Sequence, residues 1–154
     1  LSVNVPSGVD NGTRIRLAGE GEAGQRGADP GDLYIFIDVK AHKFFERDGR
    51  DIFIQVPVST LDAIVGCEIF VPCIDGKKAK LSITSGTQTG TRLRMKGKGM
   101  PSLRGGSSGD QYVEIVLETP VNISKKQQDL IKEFINLGSE KNIPKTTKFN
   151  RNTF

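Results

Sequence analysis

Short runs in which every second residue is apolar recur along the chain. TRIRL puts Thr13, Ile15 and Leu17 on one face and Arg14 and Arg16 on the other, and TRLRM repeats this at 91–95. LSVNV places Leu1, Val3 and Val5 together, AKLSI does the same with Ala79, Leu81 and Ile83, and LYIFIDV groups Leu33, Ile35, Ile37 and Val39. This period of two predicts half-buried antiparallel strands. RDGRDIFIQVPVS adds a turn at Asp48-Gly49 and another alternating strand. STLDAIVG predicts a short helix capped by Ser59 and stopped near Gly66, and EIFVPCIDGKKAKLSI a hairpin turning at Asp75-Gly76. After Pro120 the period changes to that of a helix. SKKQQDLIKEFINLG carries Ser124 and Gln127 as a capping box and Gly138 as its stop. Leu130, Phe134 and Leu137 share one face, with Ile131 and Ile135 beside them. The final stretch, SEKNIPKTTKFNRNTF, shows no periodicity and is expected to be mobile.

The strands repeat as a block. Shifted by 78 positions, residues 7–39 and 85–117 agree without a gap at about 14 of 33 positions. A period that long predicts two copies of one domain rather than a solenoid. The expected fold class is therefore all-β, two tandem β-sandwich domains related by internal duplication and followed by an amphipathic helix. The divisions are 1–42, 43–119, 120–138 for the helix, and 139–154 for the tail. Residues 43–78 have no counterpart in the first copy, so its opening strands are expected to lie outside the chain, which starts on Leu1.

The repeat also disposes of a nucleotide-loop reading. GEGEAG at 19–24 fits G-x-G-x-x-G, but Gly24 becomes Ser102 in the second copy. Each copy then runs on to a strand, where a phosphate loop needs a helix. The glycines read as turn and bulge residues.

Composition changes little. There are 22 basic and 18 acidic residues for a net charge of +4, which permits an anionic partner without requiring one. Cys67 and Cys73 would lie ~20 Å apart along a strand, too far for a disulfide. With a lone His42 and no C-x-x-C, a metal site lacks ligands, and both thiols are expected to be buried and reduced in a cytosolic protein. No catalytic residue is assigned. Asp32 and Asp110 recur at Gly-Asp turns, His42 reads as a junction residue, and nothing forms a nucleophile–base pair. A basic β-domain that binds nucleic acid is the alternative. It wants aromatics between the arginines for base stacking, and TRIRL and TRLRM have none.

VPSGVDNGTRIRLAGEGEAG, PGDLYIFIDVKAHKFFERDGRDI and RLRMKGKGMPSLRGGSSGD together resemble the C-terminal peptide-binding region of bacterial DnaJ-type co-chaperones, over roughly residues 1–137. The resemblance implies two β-sandwiches and a dimerising helix, which hold unfolded polypeptides and deliver them to a DnaK-type chaperone ATPase in the cytoplasm. The J-domain His-Pro-Asp and the C-x-x-C-x-G-x-G zinc repeats are absent from the chain. No cofactor is thus expected here, zinc belonging only to the zinc-binding region that the chain lacks. No membrane partner is expected.

By similarity to the family, the peptide groove lies between the LSVNV and LYIFIDV strands. Leu1 and Ile35 match pocket positions, and Val3, Leu33 and Ile37 join them by parity; each of these also fits an ordinary sandwich core. The helix face of Leu130, Ile131, Phe134 and Leu137 either packs on its own domain or pairs with a second copy. The basic face of Arg92, Arg94, Lys96 and Lys98 suits either an acidic segment of the partner ATPase or plain solvation of a sheet edge.

Overall fold

The computed structural model describes residues 1–154, in two compact units, Leu1–Glu118 and Thr119–Phe154. In the first unit, β1 (Arg14–Leu17) pairs antiparallel with β2 (Leu33–Phe36), with Ile15 opposite Ile35 and Leu17 opposite Leu33. The pairing continues past the strand ends, where the Ile37 amide donates to the Thr13 carbonyl at 2.9 Å and Gly12 to Ile37 at 3.0 Å. Two strands alone are marginal in water.

The rest of that unit is larger. β3 (Glu46–Asp48) turns through Gly49 and Arg50 into β4 (Asp51–Ser59), which leads into α1 (Thr60–Val65). The hairpin β5 (Cys67–Pro72) and β6 (Lys78–Ile83) follows, turning at Asp75-Gly76 as the sequence predicts. β7 (Arg92–Met95) and β8 (Gln111–Glu118) complete a sheet in the order β3-β4-β8-β7. Its central pair departs from the antiparallel expectation, because β4 and β8 run parallel from Ile52 beside Gln111 to Ser59 beside Glu118. Parallel neighbours need a long crossover, and α1, the hairpin and β7 supply it.

Alternation decides what is buried. Ile54 and Val58 of β4 and Val113 and Ile115 of β8 face Val71 and Ile83 of the hairpin in one core, joined by Ala63, Cys73 and Met95. Two layers of strands thus bury their inner faces against each other, a sandwich. α1 ends at Gly66, and its open carbonyls are taken by Ser85 Oγ (to Ile64, 2.6 Å) and the Gly86 amide (to Ala63, 2.9 Å).

LSVNV is not a strand. Its counterpart β6 pairs with β5, and the chain holds no equivalent of β5 for residues 1–5, so their backbone has no ladder to join.

The second unit is helical. α2 (Lys125–Leu137) begins with the expected capping box, the Ser124 hydroxyl accepting from the Gln127 amide at 3.1 Å and Gln127 Oε1 from the Ser124 amide at 2.8 Å. Within the tail, Pro144–Thr153 forms a helix, α3, that no apolar periodicity signals. Pro144 stands in its first turn, where a missing N–H costs nothing. Ser139 and Asn142 cap a preceding 3₁₀ turn, and Arg151 pairs with Glu140 across it.

Candidate functional site

The two segments that repeat in sequence carry the same bonds. Arg16 Nε donates to Asp32 Oδ2 at 2.7 Å while Asp32 Oδ1 accepts from the Gly19 amide at 3.0 Å. Seventy-eight residues on, Arg94 Nε donates to Asp110 at 2.7 Å and the Gly97 amide at 2.8 Å. Gly21 donates to the Gly31 carbonyl at 2.7 Å, and Gly99 to that of Gly109 at 2.9 Å. In both, the first glycine takes a positive φ (74° and 73°) and the second lies against backbone that a Cβ would overlap. The GxG pattern is a strand-to-strand turn, as the repeat predicts. The pKa of each aspartate is held below its ordinary value, first by the glycine N–H and then by the arginine.

This bracket uses part of the expected basic face. Arg94, its pKa raised by the bond to Asp110, is committed to the turn, and Arg92 stands 4.0 Å from Glu114. Lys96 and Lys98 are exposed in the turn itself.

On the opposite face of β1 and β2, Ile15, Leu17, Leu33, Ile35 and Ile37 form one apolar surface, each half-buried. Of their counterparts in the second copy, Leu93 is half-buried and Met95, Gln111, Val113 and Ile115 are buried. Val113 and Ile115, which match Ile35 and Ile37, are 0% exposed under the β5–β6 layer. Within residues 1–154 only β1 and β2 pair here, and Leu1, 81% exposed, and Val3, half-buried, lie in no strand.

A feature that sequence reasoning missed is a hollow of about 410 Å³ on the outward face of the four-stranded sheet, bordered by His42, Phe44, Phe53, Tyr112, Arg92 and Glu114. Phe53 and Tyr112 are neighbours on β4 and β8 and stack at 5.2 Å. His42 Nδ1 accepts the amides of Phe44 and Phe45 at 3.3 Å each, making His42 the cap of the turn that joins the copies. Strand parity could have placed Phe53 and Tyr112 on one face; nothing local could have added His42.

Cys73 is buried and Cys67 half-buried, both as free thiols. No three His, Cys, Asp or Glu side chains come together as a metal site, and no helix is long and apolar enough to cross a membrane. In the second unit, Leu130, Phe134 and Leu137 are 56%, 58% and 82% exposed on α2, with Ile131 and Ile135 also exposed.

These features define a class of protein, a strand-built chain with an open apolar sheet face and an exposed apolar helix. The match to known proteins is more specific. Residues 1–120 match the family model of the DnaJ C terminal domain, and the chain belongs to that family. It is 56% identical over 149 residues to a protein named chaperone protein DnaJ from Roseobacter denitrificans, covering 97% of this chain and 38% of that protein. Proteins of the same name from Ruegeria pomeroyi and Rhodospirillum centenum are 54% and 53% identical, with 97% of this chain and 39% of each covered. The chain thus spans about two fifths of the length of these relatives. Their names lend no support to the nucleic-acid alternative.

Proposed function

We propose that this chain binds unfolded or misfolded polypeptide, without catalysis, as the substrate-binding part of a cytoplasmic DnaJ-type co-chaperone that hands clients to a DnaK-type ATPase. A non-native chain offers apolar side chains and unpaired backbone, and an open sheet face takes both. The observation that carries the reading is the family match over residues 1–120, beside the half-buried apolar surface of Leu33, Ile35 and Ile37. Leu1 and Val3 are assigned to the same groove by similarity to the family. Binding of this kind is tolerant, because no buried polar group is present on that face to reject a wrong partner.

In this reading residues 1–42 are the client-binding copy, 43–119 the closed copy, and 120–138 a dimerising helix joined through Leu130, Ile131, Phe134 and Leu137. Two linked sites raise avidity for a long client. Residues 139–154 extend beyond the dimer contact. The basic face around Arg92, Arg94, Lys96 and Lys98 is the seat offered to an acidic segment of the ATPase. Any zinc belongs to a region outside these residues.

The test is Ile35→Asp. Aggregation of a chemically denatured model enzyme is suppressed by the native chain and not by the variant, while thermal unfolding of the second copy is unchanged. Full suppression by a folded Ile35→Asp chain refutes the assignment.

A further inference from the structure

We propose that Arg47 is a latch that fixes the orientation of the β1–β2 pair against the four-stranded sheet, so that the two copies move as one body. The inference stands apart from client binding. Arg47 lies on β3, opposite Ile52, and its Nε donates to the Gly49 carbonyl at 2.8 Å, which seats the guanidinium on its own turn. The remaining nitrogens reach far back in the chain, to the Val9 carbonyl at 2.7 Å and the Gly8 carbonyl at 3.2 Å, residues 38 and 39 positions earlier. The Asp10 carboxylate lies 3.7 Å away, and the Arg47 side chain is only 19% exposed. Three carbonyls in one planar fork suit a guanidinium; a lysine ammonium does not span them.

The same turn is held from its other side. Gly8, at φ +89°, sits so close to the loop at Pro101 and Leu103 that a Cβ there would overlap the Pro101 carbonyl oxygen. This loop belongs to the second copy of the glycine pattern, where Pro101, Ser102 and Leu103 replace Ala23, Gly24 and Gln25. The difference between the two loops thus coincides with the place where one copy meets the other. The equivalent turn of the second copy needs no latch, since Gly86 docks on α1 through the Ala63 carbonyl at 2.9 Å. Within residues 1–154 Gly8 has no such helix to dock on, and residues 38–44, which join the copies, form no helix or strand. A charged fork holding neutral carbonyls gives bonds of the stronger, charge-assisted kind.

The experiment measures amide residual dipolar couplings and hydrogen exchange on the whole 154-residue chain. In the unaltered protein, couplings from residues 14–37 and from 51–118 fit one alignment tensor. In Arg47→Met the two sets require separate tensors, with exchange protection of β4 and β8 retained. A single tensor for a folded Arg47→Met overturns the proposal, as does an unaltered protein that already needs two. Should Arg47→Met lose the β4 and β8 protection, Arg47→Lys decides, because it keeps the charge and the aliphatic stem but cannot span the three carbonyls. Two tensors in Arg47→Lys uphold the latch and one overturns it.

Discussion

Ile37 and Ile115 are the same residue at the same place in the two copies, which makes Ile→Ala at each a controlled comparison. Ile115 is 0% exposed among Ile54, Val58, Val71 and Ile83, and truncating such a side chain costs about 2–5 kcal/mol once the residual cavity is counted. Ile37 is half-buried with no layer above it, so it loses only part of a transfer term of about 1.5–3 kcal/mol and opens no enclosed cavity. The expected ratio is therefore about threefold in favour of Ile115. Near 80 residues, each kcal/mol moves a melting midpoint by about 4–8 °C, so Ile115→Ala lowers the midpoint by on the order of 10 °C or more. The chain has no tryptophan and two tyrosines, Tyr34 and Tyr112, one in each copy. Tyrosine emission in a Tyr34→Phe background follows the second copy, and in a Tyr112→Phe background the first. Equal losses at the two isoleucines refute the claim that the first copy's inner face is open, and with it the site.

Two further outcomes follow from the bonds at the turns and from the helix. The folded pKa of Asp110 is depressed below 3.8, so its contribution is present at neutral pH and is lost as pH falls through the folded value. Asp110→Asn therefore lowers the denaturation midpoint at pH 7 and flattens its fall below about pH 4, the range of free aspartate; an acid limb as steep as that of the unaltered protein counts against the Gly97–Asp110–Arg94 bracket. Ending the chain after Pro120 removes α2 and is expected to turn a sedimenting dimer into a monomer, and a truncated chain that still sediments as a dimer excludes that helix as the contact.

Much of the fold is local enough to read in the sequence. The hairpin at Asp75-Gly76 needs only alternating residues around a two-residue turn, and the start of α2 needs only Ser124 and Gln127 three apart. Failures share a cause, a partner distant in sequence. LSVNV alternates as well as LYIFIDV does, but a strand exists only where another backbone meets it. The parallel register of β4 and β8 depends on how some 50 intervening residues cross over, which no periodicity encodes. α3 escapes notice for another reason: Pro144 stands in its first turn, but no apolar stripe follows to mark a helix.

The repeated pattern gives the candidate site its internal control. In the second copy the Asp110 bracket and the β5–β6 layer coexist, and the inner face becomes core. In the first the same bracket, built on Asp32, holds β1 and β2 in register without that layer. In both copies the strand register is fixed at the turn. Exchange of clients on the face of β1 and β2 requires that the sheet stay put while occupants come and go. The turn at Gly8–Asp10 lies next to β1 in sequence, on the rim of the open face, and Arg47 is the side chain that grips it. Occupancy of the face and freedom of the junction should then be separable, with Ile35→Asp altering the first alone and Arg47→Met the second.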